Sequence, residues 1–292
     1  MGTHIAIKNI LYCSEAGSYL YRIVSVVLFF PRFFLFLMVL LSYFPYAQVL
    51  GFLQRLGWVD SKVSMRTFRS VCRAILAILD IDVLTDCTPE LEREFLKGVV
   101  LLSNHVSYLD IVILGANFPC VFLSKSEVER WPIIGSVARS IGCIFVSRTD
   151  LSSRVRAIKS IASKLMRSQS VALFPEGTTT PSGSPSLQRW NFGQLQAAID
   201  QGKSVVACAI SYEKRESAAW FGEQSLVPHI VKQFFVGPRK VFVGSELVSL
   251  EFTNDPREMG KGVHQRICRM CSAHSNALET THMELEYVTF TR

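Results

Sequence analysis

The chain has 292 residues, enough to bury a core as one large domain or as one domain with an anchor. Hydrophobic residues make up 49% of it and charged residues 19%, which is apolar for a soluble protein of this size. The eight cysteines are scattered, several of them within apolar segments. This pattern excludes a disulfide framework and predicts reduced core cysteines.

The net charge is +7, so nucleic acid and anionic membrane surfaces are the partners to consider. The sequence has no DNA- or RNA-binding motif and no basic stripe interleaved with aromatic residues, so we expect no nucleic-acid partner. Basic side chains instead flank an apolar N-terminal segment: Arg22, Arg32, Arg55, Lys62, Arg66, Arg69 and Arg73. This arrangement predicts contact with membrane lipids.

The apolar segment runs from residue 33 to residue 53 without a charge, and a helix needs about 20 such residues to span a bilayer. Pro31, Arg32 and Pro45 leave a second arrangement open, in which a pair of broken helices dips into one leaflet. A third alternative is a buried helical hairpin of a soluble protein. We assign residues 1–60 to N-terminal membrane-anchoring helices.

Beyond the anchor, residues 61–80 carry apolar side chains at helical spacing opposite a basic face, which predicts a helix. Residues 154–168 predict another. Short apolar runs predict buried strands at 99–102, 120–123, 143–146, 171–174 and 204–210. Alternating strands and helices indicate an α/β sheet flanked by helices over residues 61–250. The polar segment 251–292 is expected to be peripheral.

Polar clusters follow three of these strands: NHVSYLD at 104–110, Ser147-Arg148, and PEGTTT at 175–180. A single cluster is readily explained as a helix cap, and Ser107 followed by Asp110 fits a capping box. Three clusters at successive strand ends converge on one edge of a sheet, where α/β proteins bind ligands. We therefore predict a functional site at that edge.

His105 and Asp110 supply the chemistry of this predicted site. If a helix begins near Val106 or Ser107, the Asp110 carboxylate can accept a hydrogen bond from one imidazole nitrogen, which fixes the tautomer and raises the basicity of the ring. The other nitrogen then faces outward as a general base for a hydroxyl group. Because no GxSxG segment supplies a serine nucleophile, the pair suits attack by a substrate hydroxyl on an activated acyl group.

Four segments together resemble the sequence blocks of the glycerolipid acyltransferase family, the lysophosphatidate acyltransferase or PlsC-like proteins. They are NHVSYLD at 104–110, SKSEVERWPIIG at 124–135, GCIFVSR at 142–148 and LFPEGT at 173–178. The resemblance extends from about residue 65 to about residue 215. It implies a mixed α/β sheet flanked by helices, and the apolar N-terminal anchor fits it as well. We expect the protein at the cytoplasmic face of a membrane, the inner membrane if it is bacterial.

The resemblance also implies roles for individual residues. His105 would be the general base and Asp110 its orienting partner. Lys125 and Arg148 match positions associated with the phosphate of the acceptor. The acceptor pocket would be shaped by Glu176, Gly177 and Thr178. The acyl donor would be a thioester of coenzyme A or acyl carrier protein, and because its thiolate leaves readily, no metal or other cofactor is required.

Two departures from the family pattern concern the acceptor. Thr179 stands where lysophosphatidate acyltransferases commonly have an arginine, which can bind a phosphate bidentately. The block at 206–210 also lacks its usual proline. We expect lysophosphatidate (1-acyl-sn-glycerol-3-phosphate) as the acceptor, with another lysolipid, such as lyso-ornithine lipid or lysophosphatidylcholine, as the alternative. A non-catalytic lipid-binding protein is the alternative from another class, although intact His105 and Asp110 favour an enzyme.

Two further patterns predict no function. Gly202-Lys203-Ser204 is similar to the end of a P-loop, but Ala197 occupies the position of its first glycine. A cluster of two histidines and two cysteines near the C-terminus has a spacing that fits no common zinc pattern, so we expect no metal site there. It consists of His264, Cys268, Cys271 and His274.

Overall fold

The computed structural model describes the backbone of residues 15–180, 190, 192–248 and 254–290, with side chains for these except 15–23, 25 and 275–290. Cys13 and the expected domain boundary near residue 250 lie outside the described residues. The helices are α1 (Glu15–Arg55), α2 (Ser61–Ile78), α3 (Pro89–Lys97), α4 (Leu109–Asn117), α5 (Ile134–Ser140), α6 (Leu151–Met166), α7 (Gln196–Asp200), α8 (Arg215–Ala218), α9 (Leu226–Gln233) and α10 (Pro256–Phe290). In the described part of the chain, short 3₁₀ helices cover Ser126–Arg130 and Gly193–Leu195.

The strands of the described part are β1 (Ile81–Thr85), β2 (Val100–Ser103), β3 (Cys120–Lys125), β4 (Ile144–Val146), β5 (Ser170–Leu173), β6 (Val205–Tyr212) and β7 (Arg239–Val248). They form one sheet in the order β1-β7-β6-β2-β5-β3-β4. From β6 to β4 all neighbouring strands are parallel, whereas β7 pairs antiparallel with β6 and parallel with β1. The expected mixed sheet flanked by helices is confirmed.

The central strands are buried on both faces, which is why they read as continuous apolar runs in the sequence. Every residue of β2, β5 and β6 is buried. Successive side chains of β2 contribute to different cores, because Leu101 packs with α4 whereas Val100 and Leu102 pack with α6. Two helical layers therefore cover the sheet.

All five predicted strands are present, with ends shifted by one or two residues. The predicted helices 61–80 and 154–168 correspond to α2 and α6. Strands β1 and β7 were not predicted. In β1 only Ile81 is buried, and β7 mixes charged with apolar residues, so neither segment has the continuous apolar run of a central strand.

The N-terminal segment forms one continuous helix, α1, with Pro31 and Pro45 inside it. The pair of broken helices is therefore not observed. Residues 26–55 are long and apolar enough, by length and composition, to cross a membrane. Even so, one face of α1 packs on the sheet-containing part of the chain: its buried side chains are Phe36, Tyr43, Ala47 and Leu50.

Helix α10 departs from the expected peripheral position of residues 251–292. Met259, Val263, Ile267 and Cys271 are buried and belong to the same core as α6. Their spacing of four residues lines one side of a helix. The expectation is wrong for this part of α10, because a narrow apolar stripe can be buried within a segment whose overall composition is polar.

Candidate active site

The sheet order places β5 between β2 and β3, although β5 follows both of them in the chain. Because β2, β5, β3 and β4 are parallel, the segments that follow them all meet at one edge. The LFPEGT segment after β5 thus lies beside NHVSYLD after β2. Lys125 ends β3, and Arg148 follows β4.

Asp110 lies in the first turn of α4 and is fully buried. Its Oδ2 accepts a hydrogen bond from His105 Nδ1 at 2.8 Å. The same oxygen accepts the backbone N–H groups of Val106 at 2.7 Å and Ser107 at 2.9 Å. The helix begins at Leu109, slightly later than expected. The carboxylate that binds the histidine therefore also holds the backbone of the loop before α4, although the predicted side-chain cap is not observed at the N-cap residue of α4, Tyr108.

His105 is held from three directions. Its ring stacks on Phe174, with centroids 3.9 Å apart and planes inclined by 13°. Its carbonyl oxygen accepts the N–H of Thr180 at 2.7 Å. Since an ionised carboxylate only accepts hydrogen bonds, Nδ1 carries the proton of a neutral ring and Nε2 is its basic nitrogen. The side chain is 15% exposed, against 0% for Asp110, so the imidazole is the member of the pair that a substrate can reach.

Glu176 is buried and connects the two segments through Thr180. The Thr180 hydroxyl lies 2.9 Å from Glu176 Oε2 and 3.3 Å from the carbonyl oxygen of His105. This contact ties LFPEGT to NHVSYLD next to the histidine. The sequence offered Thr180 only as the last of three threonines, with nothing to single it out.

Gly177 and Arg148 are in close contact. Gly177 has φ of +74°, and a Cβ atom there would lie 2.6 Å from Arg148 Cζ. Its N–H donates to the carbonyl oxygen of Phe174 at 3.0 Å, which closes the turn. Glycine suits this position for its left-handed backbone and because the guanidinium occupies the space of a side chain. Thr178 follows in a partly exposed position.

Lys125 and Arg148 form a cationic pair at the ends of neighbouring strands. Burial lowers the pKa of Arg148, while the nearby charge of Glu127 opposes that shift. Burial, and next the Arg148 charge, lower the pKa of Lys125. Glu127 also opposes the shift of Lys125, so the two cations share one anionic neighbour.

Sequence reasoning missed two long-range partners of the NHVSYLD segment. The buried Asn104 amide pairs with the backbone of Ile210, donating from Nδ2 to the carbonyl at 2.9 Å and accepting the N–H at Oδ1 at 2.8 Å. The Tyr212 hydroxyl donates to Asp110 Oδ1 at 2.5 Å. Both partners lie in β6, about a hundred positions further along the chain. The one signal was a polar pair, Ser211 and Tyr212, directly after the predicted apolar strand.

Of the two patterns set aside in the sequence, the first lies apart from this arrangement, whereas the second approaches it, with His274 Nδ1 3.3 Å from Ser211 Oγ. Lys203 and Ser204 precede β6 and so lie at the amino-terminal ends of the parallel strands. There Lys203 donates to the Lys97 carbonyl at 2.8 Å and Ser204 donates to Glu94 at 2.7 Å. On α10, Cys268 Sγ is 3.7 Å from His264. Within the residues that the structure describes, no three His, Cys, Asp or Glu side chains are grouped to hold a metal.

Comparison with solved structures identifies the fold. The crystal structure of the 1-acyl-sn-glycerophosphate acyltransferase PlsC from Thermotoga maritima aligns with a TM-score of 0.62. The alignment covers 87% of this chain and 98% of the other, at 20% sequence identity. At this identity the likeness establishes a shared architecture.

Comparison of sequences identifies the family. The family model described as Acyltransferase matches residues 88–211. Lyso-ornithine lipid O-acyltransferase from Rhizobium meliloti is 32% identical over 63% of this chain and 68% of its own length. The 1-acyl-sn-glycerol-3-phosphate acyltransferase of Neisseria meningitidis is 34% identical over 48% of this chain and 53% of its own length. This chain belongs to the glycerolipid acyltransferase family and is an acyltransferase.

Proposed function

We propose that the protein transfers a fatty acyl chain from acyl-CoA or acyl carrier protein to the free hydroxyl of a lysophospholipid, with His105 as general base. The observation that carries this proposal is the 2.8 Å hydrogen bond from His105 Nδ1 to the buried Asp110 carboxylate. It leaves Nε2 as the nitrogen that takes the hydroxyl proton. Asp110 orients the ring and stabilises the imidazolium that forms.

The proposed reaction balances without a covalent enzyme intermediate. As the hydroxyl proton moves to His105 Nε2, the hydroxyl oxygen attacks the carbonyl carbon of the thioester. The C–O bond of the new ester forms, the C–S bond breaks, and the departing thiolate takes the proton from the imidazolium.

The hydrogen-bonded pair of His105 and Asp110 also argues against the non-catalytic alternative, because lipid binding alone needs no oriented base.

We further propose lysophosphatidate as the acceptor, which would make phosphatidic acid the product. Two observations support a phosphate ligand: the cations Lys125 and Arg148 end or follow neighbouring strands, and Arg148 packs on Gly177 of the LFPEGT segment. Lyso-ornithine lipid is the alternative, because the relative from Rhizobium meliloti carries that name and Thr179 supplies no charge for a phosphate.

We propose that α1 lies along one leaflet on the cytoplasmic side, and does not span the bilayer. Its buried face packs on the rest of the chain, and Arg32 forms an ion pair with Asp80 at 2.8 Å. A helix crossing a bilayer would need lipid around this part of its circumference as well. Its opposite face is apolar and exposed, with Val27, Phe30, Phe34 and Leu41 each more than 60% accessible, as in helices that lie in the membrane interface.

Replacing His105 by Ala tests the proposed base. We expect activity to fall by about 10²–10⁴-fold, the usual contribution of general-base catalysis, in a variant that stays folded but melts at a lower temperature, because Asp110 loses one donor. Asp110→Asn should also be severe, because an amide can hold the imidazole in the wrong tautomer. Asp60→Asn is the matched control, since the Asp60 carboxylate also accepts a backbone N–H next to the start of a helix, α2, but has no histidine partner there. Thiol release by the purified variants measures the effect, and most activity surviving in His105→Ala would refute the mechanism.

Gly177→Ala tests whether Arg148 binds the acceptor. The added methyl group should displace the guanidinium and raise KM for lysophosphatidate by about tenfold, with a smaller change in kcat. Gly202→Ala is the control, because Gly202 also has a left-handed backbone, with φ of +55°, but a Cβ there meets nothing within 4 Å. Both variants lose about 1–2 kcal/mol of stability from backbone strain. Equal values of KM in the two variants would contradict the role of Arg148.

Thr179→Arg tests the acceptor headgroup. We expect the wild type to prefer lysophosphatidate over lyso-ornithine lipid and lysophosphatidylcholine. Thr179→Arg should increase that preference about tenfold or more through an added charge-assisted hydrogen bond. Thr85→Arg, which adds the same charge on the edge strand β1, should leave the preference unchanged. A wild type that acylates lyso-ornithine lipid and ignores lysophosphatidate would refute the proposed acceptor and leave the acyltransferase assignment intact.

Charges placed on the exposed face of α1 test the membrane contact. The double variant Phe30→Glu, Phe34→Glu should lose most of its sedimentation with anionic vesicles, because both side chains would leave the acyl-chain region. It should melt normally, since both positions are exposed. The control Leu96→Glu, Leu151→Glu changes two exposed leucines on other helices and should stay bound. Unchanged, salt-resistant sedimentation of the α1 variant would argue against this placement.

A further inference from the structure

The Asp110 carboxylate receives hydrogen bonds at both oxygens, from two different parts of the chain. Oδ2 accepts from His105 and from the backbone of the following loop. Oδ1 accepts from the Tyr212 hydroxyl at 2.5 Å. Both side chains are buried. In such surroundings each hydrogen bond to a charged group is strong, and a missing one is costly.

Tyr212 is held rigidly where it meets Asp110. It ends β6, where it pairs with Val241 of the neighbouring strand β7. Two residues earlier, the Ile210 backbone is clamped by both polar atoms of the Asn104 amide. Asn104 immediately precedes His105 in the chain. The amide therefore fixes the end of β6 relative to the loop that carries the histidine, and with it the position of the Tyr212 ring.

The surroundings keep the Tyr212 phenol protonated. Burial, together with the charge and the hydrogen bond of Asp110, raises the pKa of this phenol well above its ordinary value. The other titratable or charged groups that act on it are Tyr108 and Arg239. A phenol in this state is a donor throughout the pH range of an enzyme assay. Its hydrogen bond to Asp110 therefore persists while His105 gains and loses its proton.

We infer that Tyr212 is a positioning residue for the catalytic pair: its hydroxyl fixes the plane of the Asp110 carboxylate and disperses its charge. Fixing the plane keeps Oδ2 directed at His105 Nδ1, as outer partners of a histidine commonly do. Dispersing the charge weakens the hold of the carboxylate on the imidazolium, so the ring releases its proton to the leaving thiolate more readily. This inference rests on the proposed roles of His105 and Asp110.

Tyr212→Phe removes the hydroxyl and keeps the ring. We expect kcat to fall about tenfold with little change in KM for the acceptor, because the ground-state contacts of the lipid are retained. The acid limb of the kcat/KM profile should move to higher pH by about 0.5–1 unit, because the carboxylate would hold the imidazolium more tightly. Tyr43→Phe also removes one buried hydroxyl, from α1, and should leave the profile in place.

A double-mutant cycle separates positioning from general stability. If Tyr212 acts through the carboxylate, adding Tyr212→Phe to Asp110→Asn should lower kcat by less than about twofold further. Independent sites would instead show the same tenfold loss in both backgrounds, because their effects add to within about a factor of two. A full tenfold loss in that background would overturn the inference, as would a Tyr212→Phe profile with an unmoved acid limb.

A second variant covers the case in which Tyr212→Phe does not fold. Incorporating 3,5-difluorotyrosine at position 212 keeps the hydroxyl and makes it a stronger donor, so the acid limb should move to lower pH. An unshifted limb in this variant would equally overturn the inference. These outcomes are distinct from those for the proposed function. An active His105→Ala would refute the base itself. An inactive His105→Ala together with an unaltered kcat and pH profile in Tyr212→Phe would refute only the inference about Tyr212.

Discussion

The arrangement of this enzyme's site depends on keeping one carboxylate charged in the middle of a protein core. Asp110 is fully buried, and an ionised carboxylate in such a place is stable only when donors surround it. The donors come from the start of α4, from the histidine before it and from the far end of β6. The loop after β2 and the end of β6 are therefore fixed together around a single charge.

Sheet order then decides which other segments reach that charge. Because β5 inserts between β2 and β3, its following segment supplies the ring beneath His105 and the threonine that braces the histidine backbone. The cations come from the next two strands, one and two positions further from the histidine. Arg148 reaches back to contact Gly177 of the segment after β5, so the segments around the proposed chemistry meet those proposed to bind the headgroup.

Local patterns in the sequence were sufficient for the central strands, for α2 and α6, and for the pairing of His105 with Asp110, because each depends on neighbours a few residues apart. The remaining features depend on contacts between distant positions. Tyr212 and Ile210 are ordinary residues of a buried strand until the sheet brings them to Asp110 and Asn104. The pairing of β7 likewise follows from tertiary packing. The buried stripe of α10 is periodic in the sequence, but the polar composition of that segment hides it.

The Phe174 ring beneath His105 restricts how substrates can approach. With one face covered at 3.9 Å and Nδ1 bound to Asp110, the imidazole has no room to swing between two sites. If His105 acts as proposed, a stationary Nε2 must both collect the proton from the alcohol and deliver it to the thiolate. The two substrates must therefore present oxygen and sulfur to the same small volume. When both substrates occupy that volume, no space remains for a water molecule beside Nε2, so the thioester is protected from hydrolysis.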